Sequence, residues 1–372
     1  MKHFRKVLSF HLLLLPALFL APMLTGCGTG HAPASRTSFA YDTAITVTIY
    51  DSLPEKESAE ILDGCVQLAE ELDHRYFSAH DEHSEIWRAN HGGGEQVPIS
   101  RMTCDLLVTS LYWAGQTENA FLPTLGTLTE LWNFTGVPPG PVPDSARIRE
   151  ALEHTSVKSV NLEAPDSSGT GNIIHAEEET SAADADQPAA YVSIDDPGLM
   201  LDLGGIAKGY AADRLKEYLE DRGVSSAVIN LGGNVLLVGS RPDGSDFQVG
   251  IQDPGTGTAE AVTGQTLFSV PASDVSIVTS GIYERYFEEN GVRYHHILDP
   301  QTGYPADSGL SSVTVISPDS ASGDALATAL LVMGAEKGQE LMEHLPDMEA
   351  LFITGDGEIL KTSGFPELIT AP

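Results

Sequence analysis

The sequence predicts an α+β fold. Helical and strand-like segments follow one another without the regular βαβ spacing of a doubly wound sheet, and the second half contains short apolar runs separated by Gly, Asn and Asp turns. With 41% hydrophobic residues the chain can bury a substantial core. Its 372 residues fit one large domain or two intertwined halves.

The first 27 residues predict export and lipid attachment. A short basic start precedes an apolar run over 7–24 without acidic residues, the layout of a secretory signal. The run ends in Leu24-Thr25-Gly26-Cys27, which resembles the bacterial lipobox. We therefore expect 1–26 to be a lipoprotein signal peptide and Cys27 to carry the lipid. The alternatives are an ordinary cleaved signal with a chance cysteine, and a retained membrane helix, which the two prolines in the run disfavour. On this prediction the protein is exported, faces the non-cytoplasmic side and meets the membrane only through its lipid.

The charge balance excludes one class of partner. The chain carries 53 Asp and Glu against 20 Lys and Arg, a formal net charge of −33. Nucleic acid is therefore not a natural partner, and direct attraction to anionic lipid head groups is disfavoured.

The first half predicts a tether, a strand, two helices and an insertion. Residues 27–37 have the Gly, Ala, Pro, Ser and Thr content of a flexible tether, and a domain over 38–365 follows. Alternating apolar residues and threonines predict a strand over 38–50, and apolar residues at helical spacing predict helices over 54–75 and 101–118. Residues 163–190 are acidic and rich in Ser and Ala, which predicts a disordered insertion.

Two cysteines remain besides Cys27. Cys65 and Cys104 have bulky apolar neighbours, which is typical of buried free thiols. In an oxidising compartment they could also pair, and the sequence leaves both alternatives open.

The second half predicts a denser alternation of strands and helices. Helices are expected over 206–221 and from about 323 to 333. The strands are expected near 191–195, 199–203, 226–231, 234–239, 247–251, 276–279 and 311–316.

One segment of this half joins a predicted strand end to a helix start. It reads Asp202-Leu203-Gly204-Gly205-Ile206-Ala207-Lys208-Gly209-Tyr210. Paired glycines let a ligand approach the backbone, free N–H groups at a helix start suit an anion, and Lys208 adds a positive charge. The spacing fits neither a Walker loop nor a dinucleotide fingerprint. A tight structural turn is the competing interpretation.

A second segment places a carboxylate and a hydroxyl on one helix face. Asp324 and Thr328 lie one helical turn apart, and both are oxygen donors of the kind that Mg²⁺ prefers. The competing interpretation is structural, because Asp favours helix starts and a mid-helix Thr can bond to the backbone.

A third segment places His295 and His296 at a strand end before an Asp299-Pro300 turn. Alternate strand residues point to opposite faces, so only one of the two histidines can face a given site. A lone His is more often structural than catalytic.

In combination these segments resemble the ApbE family of FAD:protein FMN transferases. The resemblance covers about 38–365 apart from the insertion, with the motifs in the family's order. The strong motifs are Asp202-Leu-Gly-Gly-Ile-Ala-Lys-Gly-Tyr-Ala, Asn230-Leu-Gly-Gly-Asn, His296-Ile-Leu-Asp-Pro-Gln-Thr-Gly and Asp324-Ala-Leu-Ala-Thr-Ala-Leu.

The resemblance implies transfer of FMN from FAD to a Ser or Thr of a partner protein, with release of AMP, by an ApbE-type mixed sheet and helix domain. It implies Mg²⁺ on the Asp324 carboxylate, the Thr328 hydroxyl and the Gly205 carbonyl, and His296 as the catalytic residue. The implied FAD contacts are Tyr41, His80, Ala120, Phe121, Leu122, Asp202, Lys208, Leu298 and Ala327.

The sequence departs from the family at the FAD contacts. Leu122 stands where many relatives have Asp, so a polar contact to the cofactor is lost or replaced. Tyr41 and His80 lie at positions where the residue type varies within the family.

Three functions remain open on the sequence. The same site could split FAD to FMN and AMP with water as nucleophile, and a flavin-binding lipoprotein without chemistry is a further alternative. The combination of Asp324, Thr328 and His296 favours an enzyme. The family's Asp-Gly-x-Ser/Thr-Gly-Ala-Thr acceptor sequence has no convincing copy here, which predicts that the acceptor is a separate protein.

Overall fold

The computed structural model describes residues 32–136, 140–164, 188–255 and 266–370. From Pro33 onward the chain belongs to one compact unit. The predicted signal peptide, Cys27 and the central part of the predicted insertion, 165–187, lie outside the described residues. Among the residues described, none of the helices combines the length and the apolar character needed to cross a membrane.

The described ranges contain sixteen strands and eight α-helices, together with a π-helical turn over Leu72–Phe77. The strands are β1 (Ala34–Ala40), β2 (Thr43–Ile49), β3 (Val97–Ile99), β4 (Val160–Glu163), β5 (Ala190–Ile194), β6 (Ser226–Leu231), β7 (Asn234–Gly239), β8 (Phe247–Gln252), β9 (Thr266–Ala272), β10 (Ser276–Gly281), β11 (Tyr286–Glu289), β12 (Val292–His295), β13 (Leu310–Ser317), β14 (Glu349–Thr354), β15 (Ile359–Lys361) and β16 (Ile369–Thr370). The helices are α1 (Glu55–Glu71), α2 (Glu85–Asn90), α3 (Arg101–Gln116), α4 (Gly126–Trp132), α5 (Ser145–Leu152), α6 (Ala207–Glu220), α7 (Ser320–Met333) and α8 (Ala335–Met342).

An eight-stranded antiparallel sheet forms the centre, in the order β1-β2-β6-β7-β10-β13-β14-β15. Its two faces are both buried, since Val278 joins the core that contains α6 and α7 while its neighbour Ile277 joins a second core. The second core is shared with β8 and β9 of a three-stranded sheet. This layering explains why all eight residues of β13 are buried. The α+β prediction is confirmed.

Most predicted elements appear with small changes at their ends. β6 and β7 have the predicted bounds, α3 and α6 match two predicted helices, and the helix predicted over 54–75 is α1 followed by the π-helical turn. The helix predicted from residue 323 begins three residues earlier, at Ser320. Cys65 and Cys104 are both buried free thiols.

The strand predicted over 38–50 is a hairpin. Residues 34–37, predicted as tether, pair with β2, and the two strands meet at a two-residue turn of Tyr41 and Asp42. Neither turn residue is Gly or Asn, the usual signal for such a turn, so the sequence pattern concealed it. Serine and threonine pairs across the hairpin, such as Ser35 with Thr48, gave residues 34–37 the polar composition of a tether.

The strand predicted over 199–203 is wrong. The residues alternate in burial, but their backbone forms no ladder. Instead the side chain of Asn90 bonds to both backbone groups of Leu201. Its Oδ1 accepts the Leu201 N–H at 2.7 Å, and its Nδ2 donates to the Leu201 carbonyl oxygen at 2.9 Å. A side chain thus replaces the neighbouring strand, and the segment before Gly204 is an extended loop.

The ends of the predicted insertion are ordered strands. Glu163 ends β4 and Ala190 begins β5, and these two strands pair with each other. Residues 165–187 of the predicted insertion lie outside the described residues.

Candidate active site

The contact between α6 and α7 builds the centre of the site. The two helices approach so closely that a Cβ on Gly209 would lie 2.2 Å from the Ser320 carbonyl oxygen. At this crossing the Gly209 N–H donates to Asp324 Oδ2 at 3.0 Å. Asp324 is only 3% exposed, so the motif around Gly209 and the motif around Asp324 meet directly.

Lys208 supplies the positive charge at this crossing. Its Nζ lies 3.4 Å from both carboxylate oxygens of Asp324 and donates to the Gly204 carbonyl oxygen at 3.2 Å. The Lys208 ammonium therefore contacts two oxygen-bearing groups of this centre, the Asp324 carboxylate and the Gly204 carbonyl.

The other expected metal ligands lie at the same centre. A Cβ on Gly205 would stand 3.7 Å from Thr328 Oγ1 and 3.2 Å from the Phe121 ring, which places all three side by side. One carboxylate, one hydroxyl and one carbonyl are hard oxygen donors that fit Mg²⁺ completed by substrate oxygens. Across the described residues no group of three or more His, Cys, Asp or Glu could hold a metal, in keeping with a site that has a single carboxylate.

Asp202 fixes the loop that leads into α6. Its Oδ1 accepts from the Gly204 N–H at 2.8 Å and its Oδ2 accepts from the Thr129 hydroxyl at 2.8 Å. Its own N–H donates to the Pro123 carbonyl oxygen at 2.8 Å. Asp202 therefore ties the glycine loop to the 120–123 segment.

The two histidines face different surroundings, as predicted. His295 is 5% exposed and its Nε2 lies 3.0 Å from the Ala306 carbonyl oxygen. His296 Nδ1 lies 3.3 Å from the Arg285 carbonyl oxygen, and its backbone N–H donates to the same oxygen at 3.0 Å. A carbonyl only accepts, so Nδ1 carries the proton and Nε2 is left with the lone pair.

Burial keeps the His296 ring neutral. It lowers the pKa of His296 to about 3, assisted by the positive charges of Arg285 and Lys208. The ring is therefore in the unprotonated form that a general base requires, with its lone pair on Nε2.

An aromatic cluster supports the β11–β12 hairpin that ends at the histidines. Trp132 packs on Phe134, Phe287, Tyr294 and Tyr304 with ring centroids 5.6 to 6.3 Å apart. The Trp132 indole N–H donates to the Gly303 carbonyl oxygen at 2.8 Å, and Leu298 is buried in the same cluster. The turn after the histidines is therefore rigidly placed.

Sequence reasoning missed two charged residues, Glu284 and Arg285. Glu284 Oε1 lies 3.6 Å from where a Cβ of Gly233 would stand, so the carboxylate faces the Asn230–Asn234 motif. Its side chain is exposed to solvent, and the surrounding protein raises the pKa of the carboxyl, against the effect of Lys208 and Arg285. Both residues lie outside the four sequence motifs. The only sequence signal for them is a pair of opposite charges directly before a strand.

The remaining predicted FAD residues are spread around this centre. Leu122 lines a cleft of about 400 Å³ and Ala120 lines an adjoining one of about 160 Å³; Glu118, Asn119, Pro300 and Gln301 line both. Ala327 is fully buried in α7. His80 is exposed, and its N–H donates to the Ser78 hydroxyl. No contact between His80 and the other predicted residues is found among the described residues.

Comparison with known proteins identifies the class. The ApbE family model matches residues 41–352. A FAD:protein FMN transferase of Treponema pallidum is 34% identical over 90% of this chain and 88% of its own, and one of Klebsiella pneumoniae is 37% identical over 75% and 78%. The crystal structure of the ApbE protein of Thermotoga maritima superposes with a TM-score of 0.74 at 30% identity, covering 89% of this chain and 97% of that one. The flavin transferase ApbE of Vibrio cholerae superposes with a TM-score of 0.72 at 25% identity, covering 90% of this chain and 98% of that one.

Fold, site and relatives define an α+β enzyme of the transferase class. The chain belongs to the ApbE family.

Proposed function

We propose that this enzyme transfers the FMN half of FAD to a Ser or Thr hydroxyl of a separate acceptor protein, releases AMP and uses Mg²⁺. The name shared by its relatives supports the flavin substrate. The observation that carries the chemistry is the meeting of Asp324, Lys208 and Thr328 near a neutral His296.

The reaction exchanges one phosphorus–oxygen bond for another. The acceptor oxygen bonds to the phosphorus on the FMN side of the pyrophosphate, the bond from that phosphorus to the bridging oxygen breaks, and AMP leaves with that oxygen. The acceptor hydroxyl loses a proton, and His296 Nε2 is the neutral base that takes it. Lys208 places its charge where the phosphate oxygens gather negative charge.

The carboxylate of Asp324, the hydroxyl of Thr328 and the carbonyl of Gly205 would hold the Mg²⁺. When bound, the ion neutralises charge on the pyrophosphate and helps to hold it in line for attack. The Gly209 N–H orients Asp324 for this task.

The flavin nucleotide would be bound by the residues that the family resemblance implies. They are Tyr41, His80, Ala120, Phe121, Leu122, Asp202, Lys208, Leu298 and Ala327. Leu122 is 8% exposed in a cleft wall, so it offers the nucleotide an apolar surface where many relatives have a carboxylate.

We also propose that the enzyme is exported and held at the membrane by lipid on Cys27. Tethering would raise the local concentration of the enzyme around acceptors at the same surface. A Cys27→Ser variant should leave the membrane fraction for the soluble fraction while keeping its specific activity. If the variant stays with the membrane, the lipid anchor is wrong.

The proposed reaction can be tested on the full-length chain in detergent. FAD, Mg²⁺ and candidate acceptor proteins are incubated with the enzyme, and mass spectrometry detects FMN bound to a Ser or Thr while chromatography detects AMP. Equal amounts of both products support transfer. Free FMN and AMP with every acceptor would establish a FAD pyrophosphatase instead.

An Asp324→Asn variant isolates the metal requirement. We expect it to lose Mg²⁺-dependent turnover, whereas Asp356→Asn at an exposed turn serves as the control and should keep it. Equal turnover by Asp324→Asn and wild type would remove Asp324 from the metal site.

A further inference from the structure

The turn between β1 and β2 adopts an unfavourable backbone conformation. Tyr41 and Asp42 have φ of 53° and 55°, in the left-handed region. Two-residue hairpin turns of this kind usually contain Asn-Gly, because the left-handed conformation is unfavourable for most other residues. Contacts from elsewhere must therefore hold the turn.

Two distant side chains hold it. Asp73, in the π-helical turn, accepts the Tyr41 N–H at 2.8 Å. Arg285 Nη2 donates to the Tyr41 carbonyl oxygen at 3.2 Å and reaches the Asp42 carbonyl oxygen at 3.4 Å. Its Nη1 also lies 3.8 Å from the Asp42 carboxylate. The guanidinium thus caps both residues of the turn, 244 positions away from Tyr41 along the chain.

The same residue holds His296. The Arg285 carbonyl oxygen receives the backbone N–H of His296 and sits against its Nδ1, which leaves Nε2 as the basic nitrogen. Among the described residues, Arg285 alone bonds to both the Tyr41–Asp42 turn and the His296 ring.

We propose that Arg285 is a positioning residue that couples the turn carrying Tyr41, a proposed flavin contact, to the imidazole that takes the acceptor's proton. The inference rests on the proposed function. Without the guanidinium, the strained turn relaxes, Tyr41 leaves the flavin site, and the segment that carries the His296 contact loses its anchor on the hairpin.

The test compares Arg285→Gln with Arg285→Lys in the full-length chain. The amide of Gln can reach only one of the two carbonyls and carries no charge, so we expect the Kd for FAD to rise about tenfold and the single-turnover transfer rate to fall about tenfold. Lys keeps the charge and should recover part of both. Arg75→Gln, which breaks an exposed pair with Glu71, is the matched control and should change neither.

A second variant separates positioning from a general loss of stability. Asp42→Gly puts a residue that accepts positive φ at the strained position, so the turn no longer needs its cap. Asp42→Gly combined with Arg285→Gln should recover at least threefold of the tenfold loss in FAD affinity. A role for Arg285 away from this turn predicts no such recovery.

The outcomes separate this inference from the proposed reaction, because FAD affinity is measured by quenching of flavin fluorescence without any acceptor. Weakened binding that Asp42→Gly restores supports the coupling even if no acceptor is modified, and the proposed transfer then fails by itself. Wild-type FAD affinity in Arg285→Gln, or a defect that Asp42→Gly leaves untouched, overturns the inference.

Discussion

The Nζ of Lys208 lies 3.4 Å from each carboxylate oxygen of Asp324 and 3.2 Å from the Gly204 carbonyl oxygen. The ammonium therefore contacts the carboxylate that is expected to hold Mg²⁺, and a carbonyl next to the expected Gly205 ligand. Mg²⁺ bound to Asp324 as proposed would be repelled by this ammonium, by a few kcal/mol at the effective dielectric constant of about 20 that suits protein sites. We therefore expect Lys208 to move from Asp324 toward the substrate phosphates when the metal binds.

From this competition we predict opposite effects of Lys208→Gln on two ligands. The variant should bind Mn²⁺ about tenfold more tightly, because a competing charge is gone, and FAD about tenfold more weakly. Binding is followed by the electron paramagnetic resonance of free Mn²⁺ and by flavin fluorescence. Lys216→Gln, on the same helix and paired with Asp274, is the control. Weaker Mn²⁺ binding in Lys208→Gln would show that Lys208 supports the metal site.

We predict that replacing His296 lowers the transfer rate, whereas replacing His295 lowers the stability of the fold. His296→Ala should lower the transfer rate by about 10² to 10⁴, the usual contribution of a general base, and leave the Kd for FAD within a few-fold. His295→Ala should instead lower the free energy of unfolding by roughly 1–3 kcal/mol, because it removes a buried ring bonded to Ala306. Single-turnover kinetics and urea unfolding of both variants test this, and an equal loss of rate in both would contradict it.

The raised pKa of Asp213 predicts how the free energy of unfolding depends on pH. Its carboxylate caps α7 by accepting the N–H groups of Ser320 and Ala321 at 2.8 and 2.9 Å. Burial nevertheless raises the pKa of Asp213 to about 7. An unfolded Asp has a pKa near ~3.9, so between about pH 4 and pH 7 the native state holds a proton that the unfolded chain has lost. By linkage this group makes the protein less stable as the pH rises through that window.

Asp213→Asn removes this titration. Weaker capping lowers the unfolding free energy of the variant by the same amount at every pH. The difference between variant and wild type should therefore shift in favour of the variant by roughly 1–3 kcal/mol from pH 5 to pH 8. Urea unfolding at the two pH values measures the change, with the exposed Asp221→Asn as the control. The same difference from wild type at both pH values would refute the assignment.

The sequence predicts strand ends to the residue where glycines mark the turn between two strands. β6 and β7 have their predicted bounds because Gly232 and Gly233 between them adopt positive φ, as a tight hairpin requires. The Tyr41–Asp42 turn uses residues that give no such signal, so two strands appeared as one. Its conformation depends on Arg285, which no local pattern can reveal.

The candidate site divides in the same way. Asp324, Thr328 and His296 were found because each lies in a recognisable motif. Glu284 and Arg285 were not found because their roles arise only when the residues after β10 fold against loops far away in the chain. The run over 199–203 misled for a related reason, since alternating burial can be satisfied by one Asn side chain as well as by a strand.

The close approach of α6 and α7 gives a last prediction, on Gly209. A methyl group there would lie 2.2 Å from the Ser320 carbonyl oxygen and 2.7 Å from the Ala321 Cα, so the helices must separate. Such overpacking against backbone costs about 1–3 kcal/mol or more. It also draws the Gly209 N–H away from Asp324, so Gly209→Ala should lose metal affinity as well as stability. Gly115→Ala, in α3 where nothing lies within 4 Å of the added methyl, should stabilise by up to about 1 kcal/mol because Ala favours helix. Urea unfolding and Mn²⁺ titration of both variants decide the matter: if Gly209→Ala unfolds and binds Mn²⁺ like wild type, the crossing does not position Asp324.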